Sequence, residues 1–402
     1  MAFRKEKPGQ YWGELHPDLL DEIAKHISSY DDYVRLRAVN KSWNKALPKI
    51  PTNVALRGPW LVLPFDEEVY DHHLRLPELK NTKIRGSSFG WLIVVETGGK
   101  LRMLNPLTGS SFGLPPLSTF PNVLSYQPDE HGKEYTVKNS TVDKEDSDEP
   151  PFIVIIDSIH MQNMFIEKVV LSSPPDDQDK EKFMAVAIYG WYPELAFYRF
   201  GDDKWTNLSF IDAYRGLESG IRDVIFHQSK IYAIDEYGYL YEFEFDMRTV
   251  SGGRIWNVQR PRTSITICSR IKYLVRNPDG HLLMVLRYVD YGNRQLRDLY
   301  KTAGFDIFEL DQSTGQWFRK FNLGSYVLIL GYNLSTWKPP FADEKGNYAR
   351  NCIYFTDNNL SYHFDYYAYG GHDIGVFNLE DESISQLFPR STFFNPPPVW
   401  LS

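Results

Sequence analysis

The stretch FELDQSTGQW, residues 308–317, joins a short apolar strand to a polar turn and a second strand. The same order of an apolar run, a polar or glycine turn and usually another strand occurs at four more places. The five turns are anchored at Asn105, Gly201, Asp246, Asp311 and Glu380. The shortest interval between successive anchors is 45 residues. Units of about this length, each with four strands, are typical of the blades of a β-propeller.

The strand-like runs around these turns predict the positions of the blades. Trp91–Val95 and Lys230–Ile234 are predicted to be inner strands. A further blade is predicted from Trp60–Leu63 through 73–76, and Val399–Leu401 could complete it by pairing and so close the ring. The sequence therefore predicts a mainly β chain with about six blades, five to seven being compatible with it. A β-sandwich remains an alternative, because short alternating strands fit that fold equally well.

Residues 15–47 have a helical periodicity instead. A first apolar stripe comprises Leu15, Leu19, Leu20, Ile23 and Ile27, and a second comprises Leu36, Val39, Trp43 and Leu47. Asp31 or Asp32 is predicted to cap the second helix. Segments below about 40 residues rarely close a core by themselves, so surplus apolar surface is expected here. Either a partner protein or the rest of the chain could cover it.

Composition and charge exclude several classes of protein. The formal net charge is −8, from 44 basic and 52 acidic residues, which argues against nucleic-acid and anionic-membrane surfaces. The two cysteines, Cys268 and Cys352, lack metal-ligand spacing and are expected to be reduced and buried. No apolar signal segment begins the chain, and its apolar runs are too short to span a membrane. We expect a soluble protein of the cytoplasm, the nucleus or both.

Two acidic segments, 127–150 and 174–182, are predicted to be solvated loops between strands. The first holds eight acidic and three basic residues. A second interpretation is that this charge attracts a basic substrate.

The sequence has no GK[ST] phosphate loop and no HExxH motif. His72 and His73 are adjacent in a strand-like run and so point to opposite faces, which disfavours a shared metal. A looser group, His363, Asp365, His372 and Asp373, is predicted to be a polar rim on a propeller loop. We therefore predict no catalytic residue, no metal and no cofactor. Hydrolysis of glycosides by paired carboxylates stays open as an alternative, although no spacing singles out a pair.

The helical front end resembles an F-box, the short module by which substrate receptors dock on the Skp-family adaptor of a cullin–RING ubiquitin ligase. The matching residues, in family order, are Leu15, Pro17, Leu19, Leu20, Ile23, Leu36, Arg37, Val39 and Trp43. The chain departs from the family twice: His16 separates the Leu from the Pro, and Asn40 stands where Cys is usual. Both departures imply a weaker adaptor affinity.

Residues from about 55 to 402 resemble the kelch-like C-terminal propeller of a large group of plant F-box proteins, a domain long described as being of unknown function. The resemblance is carried by Pro59–Pro64, by Leu104–Gly109 with Leu114-Pro115, and by Pro397–Trp400. It implies an F-box-like module over residues 1–52 and a substrate-binding propeller over residues 53–402.

The resemblance implies a non-catalytic substrate-recognition subunit of a Skp–cullin–F-box ligase. Its partners would be a Skp-family adaptor, the cullin–RING ligase reached through that adaptor, and an unidentified target protein. The apolar anchors for the adaptor would be Leu15, Pro17, Leu19, Leu20, Ile23, Leu36, Val39 and Trp43, with Arg35, Arg37 and Lys41 as a polar rim. The alternatives are a propeller glycosidase or lyase, and a binding scaffold whose F-box has drifted.

Overall fold

The structure is a computed structural model of the whole chain. It describes residues 15–27, 33, 36–47, 60–63, 79–106, 108–139, 152–175, 183–208, 220–245, 250–256, 269–292, 299–339, 341–342, 348–358, 371–389, 392, 394 and 397–401. The chain divides into two compact units, Met1–Trp60 with Phe341–Tyr348, and Leu61–Pro340 with Ala349–Ser402.

The front end contains helix α1 (Pro17–Lys25) and helix α2 (Lys41–Ala46), with a helical turn over residues 36–38. The prediction of one second helix carrying Leu36, Val39, Trp43 and Leu47 is wrong. The helical turn ends before Val39, and the side chain of Asn40 caps a new helix by accepting a hydrogen bond from the Trp43 N–H at 2.8 Å. Asp31 and Asp32 lie outside the described residues.

The described part of the chain forms 28 strands, most of them in five larger sheets. Strand β1 (Trp60–Val62) is followed by sheet 1, which comprises β2 (Lys83–Ser88), β3 (Trp91–Val95), β4 (Leu101–Leu104) and β5 (Ser111–Leu114). A 3-10 turn (Leu117–Thr119) leads to an inserted sheet of β6 (Val123–Tyr126), β7 (Tyr135–Lys138) and β8 (Ile153–Ile156), and then to helix α3 (Ser158–Met164).

Three further four-stranded sheets follow in chain order. Sheet 2 comprises β9 (Ile166–Leu171), β10 (Met184–Tyr189), β11 (Glu194–Arg199) and β12 (Thr206–Asn207). Sheet 3 comprises β13 (Ile221–His227), β14 (Lys230–Asp235), β15 (Leu240–Phe245) and β16 (Val250–Trp256). Sheet 4 comprises β17 (Ser269–Arg276), β18 (Leu282–Asp290), β19 (Lys301–Asp311) and β20 (Gln316–Lys320).

Sheet 5 has five strands in the order β22-β21-β25-β26-β27, with β21 and β25 parallel. Its members are β21 (Val327–Leu330), β22 (Thr336–Lys338), β25 (Cys352–Phe355), β26 (Gly375–Asn378) and β27 (Ile384–Gln386). Between them, β23 (Phe341–Ala342) pairs with β24 (Tyr348–Ala349). The last strand, β28 (Val399–Leu401), pairs with β1.

The five-fold repeat seen in the sequence coincides with the five larger sheets. Each repeated turn follows the next-to-outermost strand of one sheet, namely β4, β11, β15, β19 and β26. The 96 residues between Asn105 and Gly201 are explained by the inserted sheet and α3, since β2 of sheet 1 contacts β9 of sheet 2 directly. The mainly β propeller is thus confirmed, and five sheets together with the β1–β28 pair lie within the predicted range of blades.

Two strand assignments and one loop assignment are wrong. Trp91–Val95 and Lys230–Ile234 are second strands, because β2 and β13 precede them and contact the first strands of neighbouring sheets. Residues 127–150 are not all loop, because Tyr135–Lys138 forms β7 with Tyr135 and Val137 fully buried. Residues 140–150 and 176–182 lie outside the described residues.

Apolar layers between successive sheets form the core. The layer between sheets 1 and 2 contains Trp91 and Trp205, and similar layers join sheets 2 to 3, 3 to 4 and 4 to 5. A fifth layer brings Val399 and Tyr332 against Leu92 of sheet 1. The pairing of β28 with β1 therefore closes the ring as predicted, and each fully buried large side chain contributes about 1.5–3 kcal/mol.

The innermost strands also carry buried polar groups that join the sheets. The Lys168 Nζ of β9 lies 2.7 Å from the Asp223 Oδ1 of β13, and both side chains are almost fully buried. Asp223 Oδ2 accepts a hydrogen bond from the Leu274 N–H of β17 at 2.8 Å. One carboxylate therefore links three sheets.

Glu167, next to Lys168 on β9, lies close to this link and is half-buried. Burial raises the pKa of its carboxyl to about 7, and the negative charge of Asp223 acts in the same direction. The cations of Arg222, Lys168 and Arg85 oppose this rise without cancelling it. Folding therefore shifts Glu167 toward its protonated form.

Replacing Asp223 with Ala should lower the free energy of unfolding by about 3–5 kcal/mol, because it leaves the Lys168 ammonium buried without its counter-charge. Glu236→Ala is the matched control, since its exposed ion pair with Arg222 at 3.0 Å is worth less than about 1 kcal/mol. Urea unfolding of both variants checks this expectation. If both variants lose the same free energy of unfolding, the buried Lys168–Asp223 pair contributes no more to stability than the exposed pair.

Glu167→Gln should change how stability depends on pH. The unfolded chain releases the Glu167 proton in the usual range, whereas the folded chain keeps it until about pH 7. The raised pKa therefore stabilises the wild type at low pH, and this benefit is lost as pH rises to 7. The free energy of unfolding of the wild type, relative to Glu167→Gln, should fall by up to about 3 kcal/mol between pH 5 and 8. If the free energies of unfolding of the wild type and of Glu167→Gln depend on pH in the same way, the raised pKa of Glu167 is refuted.

Candidate functional site

The start of α1 is built by His16, one of the two departures from the F-box pattern. His16 is the N-cap residue, and its Nδ1 accepts a hydrogen bond from the Asp18 N–H at 3.4 Å. Pro17 occupies the first helical turn, where its missing N–H leaves no bond unmade. The second departure, Asn40, caps α2. Both unusual residues therefore begin a helix, a role that the sequence pattern did not reveal.

The helices bury one side of the predicted apolar stripe. Leu20 is 1% exposed and Trp43 is 6% exposed, and they are buried together with Ala24, Tyr33 and Leu47. Helices α1 and α2 contact each other. Arg37 adds a polar link, since its Nη2 donates to the Asn44 carbonyl oxygen at 3.2 Å.

The other side of the stripe faces solvent. Leu19, Ile23 and Val39 are 59%, 40% and 57% exposed. We call these three residues the exposed apolar stripe. Of the remaining predicted adaptor-binding residues, Pro17 and Lys41 are exposed, Leu15, Leu36 and Arg37 are half-buried, and Arg35 lies outside the described residues. The stripe has the chemistry of a protein-docking surface, because three large apolar side chains gain by leaving water together.

The predicted polar rim around His372 and Asp373 is wrong, because both residues are buried. They are 4% and 1% exposed, and His363 and Asp365 lie outside the described residues. The Asp373 Oδ2 lies 2.8 Å from Arg287 Nη2 and 2.7 Å from the Thr302 hydroxyl. The same residues that looked like a surface constellation therefore connect sheets 4 and 5.

Asp357 is a second buried anchor in this region. Its Oδ2 accepts hydrogen bonds from the Tyr300 hydroxyl at 2.6 Å and from the Gly371 N–H at 2.7 Å. His372 Nε2 lies 2.8 Å from the Tyr300 carbonyl oxygen. Gly371 has a φ of +83°, and a Cβ there would collide with the Phe394 carbonyl oxygen. These contacts fix the backbone and indicate a structural role.

Arg287 is a buried polar residue that the sequence analysis did not single out. Its guanidinium is 1% exposed and also donates to the Thr356 carbonyl oxygen at 2.7 Å. It stacks over the Phe355 ring at 4.6 Å. A single arginine within the apolar run LLMVLRYV, residues 282–289, was the signal that could have revealed it.

Three buried acidic groups of the propeller, Asp223, Asp357 and Asp373, are tied to cations or to N–H and O–H donors. A cavity of about 480 Å³ lies at the outer strands of sheet 4, where Glu309 contacts His281 at 2.5 Å and Lys320 at 2.8 Å. Partial burial acts to raise the pKa of Glu309, but hydrogen bonds from Lys320 and His281 hold it below its usual range. These contacts indicate an ion-paired surface and not a general acid.

In the part of the chain that the structure describes, no three His, Cys, Asp or Glu side chains are arranged to hold a metal ion. Helices of the length and apolarity needed to cross a bilayer are likewise not found there. Cys352 is a free, buried thiol, in agreement with the prediction, whereas Cys268, His72 and His73 lie outside the described residues.

Comparison with known proteins places this geometry in a family. A putative F-box protein of Arabidopsis thaliana, At5g55150, is 24% identical over 395 residues, covering 96% of this chain and 95% of the relative. The F-box protein SKIP23 of the same plant is 23% identical, covering 97% and 95%. A solved Fusarium graminearum arabinofuranosidase covers 80% of this chain and 79% of its own at 10% identity, with a TM-score of 0.29, too weak a likeness to bear on function.

The model of one protein family matches most of the chain. It is described as the KIB1-4 beta-propeller and spans residues 62–378, from β1 to the end of β26. The matched segment contains all of sheets 1 to 4 and the first four strands of sheet 5. The chain therefore belongs to the KIB1-4 β-propeller family.

Proposed function

We propose that this protein is a non-catalytic substrate-recognition subunit of a Skp–cullin–F-box ubiquitin ligase. Residues 1–52 would dock a Skp-family adaptor, and the kelch-like propeller of residues 53–402 would hold a target protein. The site of action would be the cytoplasm, the nucleus or both. The F-box names of the relatives support this proposal.

The observation that carries the proposal is the exposed apolar stripe of Leu19, Ile23 and Val39. Isolated apolar side chains at a surface are ordinary, but Leu19 and Ile23 lie one helical turn apart on α1, and Val39 is a third exposed apolar side chain on the same short module. An amphipathic module that docks by its apolar residues is a common mode of recognition. The stripe lies within the segment whose residues match the F-box pattern.

The structure suggests different roles for the predicted adaptor-binding residues. Leu19, Ile23 and Val39 would contact the adaptor, with Pro17 and Lys41 beside them. Leu20 and Trp43 are buried, and they would support the stripe from beneath. Arg37 would hold α2 in place through Asn44, and Leu15 and Leu36 would border the contact.

The mechanism requires no bond-making group on this chain. Holding a target beside a ubiquitin-charged enzyme raises the local concentration of target lysines, so that transfer becomes effectively intramolecular. The ion-paired and hydrogen-bonded state of Asp223, Asp357 and Asp373 supports a non-catalytic propeller over a glycosidase or lyase.

Replacing Leu19 and Val39 together with Glu should weaken adaptor binding at least about 100-fold, because two charges would be buried where apolar contacts are lost. A recombinant plant Skp-family adaptor and calorimetry measure the affinity. Both residues are exposed, so the thermal unfolding midpoint should stay near that of the wild type.

Phe318→Glu is the matched control, since Phe318 is 54% exposed on strand β20 of the propeller. It should leave adaptor affinity unchanged. An unaltered affinity of the Leu19/Val39 double variant would refute the docking surface. A wild type that binds no adaptor would instead favour a scaffold whose F-box has drifted.

A further inference from the structure

The inserted sheet has one face in the core and one face in water. On the inner face, Tyr135 and Val137 of β7 are buried, and Ile156 of β8 packs against the same apolar cluster. On the outer face, Ile153 and Ile155 of β8 are 50% and 61% exposed. Their cross-strand partners on that face are Lys138 and Thr136. Soluble sheets usually place polar residues on such a face, so two exposed isoleucines call for an explanation.

Two further apolar side chains close to β8 in sequence are also exposed. Phe152, immediately before β8, is 69% exposed, and Ile159 on α3 is 65% exposed. We call Ile153 and Ile155, which share the outer face of β8, the outer patch. It belongs to neither the exposed apolar stripe nor the buried polar groups described above. Large apolar side chains exposed together on one face mark interaction sites.

Strand β8 also lies at an edge of its sheet. The order of the inserted sheet is β6-β7-β8, and within the described residues β7 is the sole strand paired with β8. Alternate backbone N–H and C=O groups of an edge strand have no partner in their own sheet. Natural proteins usually protect such edges with charged side chains or proline, whereas β8 reads Ile-Val-Ile-Ile.

The charge around β8 indicates which partner fits. The described residues of this region, 127–139 and 152–160, hold four acidic and two basic residues. Asp129, Glu130, Glu134 and Asp157 lie near the Ile156 end of the strand, where the β6–β7 turn meets β8. A second copy of this chain would bring the same negative charge against it, which disfavours self-association.

We propose that the edge of β8 and the outer patch bind an extended segment of another protein, which adds as a strand to the inserted sheet. The segment would have β-branched or aromatic residues at alternate positions, to lie on the outer patch, and Lys or Arg at its ends. Main-chain hydrogen bonds to β8 supply affinity, and the alternate side chains and terminal charges supply selectivity. As a target-binding surface this inference rests on the proposed function, but strand addition itself does not require the adaptor.

The test uses the purified full-length chain without adaptor, so its result is independent of the docking surface on α1. The probe is a fluorescein-labelled peptide, KKVTVTVKK, measured by fluorescence anisotropy. Its comparison peptides are EEVTVTVEE and two N-methylated forms of the probe, one for each set of alternate amides. We expect the basic peptide to bind and the acidic peptide to bind at least tenfold more weakly. At least one N-methylated form should lose binding, because it cannot donate hydrogen bonds to β8.

The protein variant is Ile153→Asp with Ile155→Asp, and it should weaken binding of the basic peptide at least tenfold. Phe318→Asp is the control, an equally exposed residue on an edge strand of another sheet, and it should have no effect. Both positions in the double variant face solvent, so circular dichroism should show an unchanged fold.

Four outcomes would overturn the proposal. They are no binding of the basic peptide to the wild type, binding by the Asp double variant as tight as by the wild type, binding of both N-methylated forms as tight as that of the unmodified probe, and a wild-type dimer in sedimentation that the double variant abolishes. The last would identify a second copy as the occupant.

Discussion

Each sheet of the propeller has two apolar faces, and each face is buried only where a neighbouring sheet covers it. The five apolar layers between the sheets are consequently interdependent. The fifth layer, in which Val399 meets Leu92, exists only when β28 pairs with β1. Burial of polar groups between the sheets likewise depends on neighbouring sheets. Lys168, Asp223 and Arg287 are tolerated in the interior because an adjacent sheet brings each one a partner.

Much of this architecture could be predicted because the strands before the repeated turns are apolar and end in clear turn residues. That signal located β4, β11, β15, β19 and β26. The innermost strands β2 and β13 were not predicted, because the polar residues Arg85 and Asp223 interrupt their apolar pattern. The partners that make these polar residues acceptable lie elsewhere in the chain. Strand β7 was not predicted, because the residues on both sides of it are rich in acidic side chains, although Tyr135 and Val137 are fully buried. Contacts that connect residues far apart in sequence leave no local pattern to read.

In the helical module, too, the sequence predicts some features and leaves others to be decided by packing. Periodicity identified the apolar residues of the stripe, but it could not distinguish Leu19, which is exposed, from Leu20, which is buried. Adjacent residues differ by about 100° around a helix, and small changes in packing decide which one is covered. Val39 is exposed and Trp43 is buried, and between them Asn40 caps the start of α2. Likewise, the sequence of β8 does not reveal that Ile153 and Ile155 are exposed, because their exposure depends on the place of the strand in its sheet.

The pairing of β1 with β28 also bears on synthesis at the ribosome. The two strands are separated by residues 63–398, so the ring cannot close until almost the whole nascent chain has emerged. At about 5–20 residues per second, this delay lasts roughly 20–70 seconds. Helices α1 and α2 depend on local contacts and can form early in that interval. The apolar face of sheet 1 that later meets β28 stays uncovered throughout, which makes it a natural binding site for a chaperone during translation.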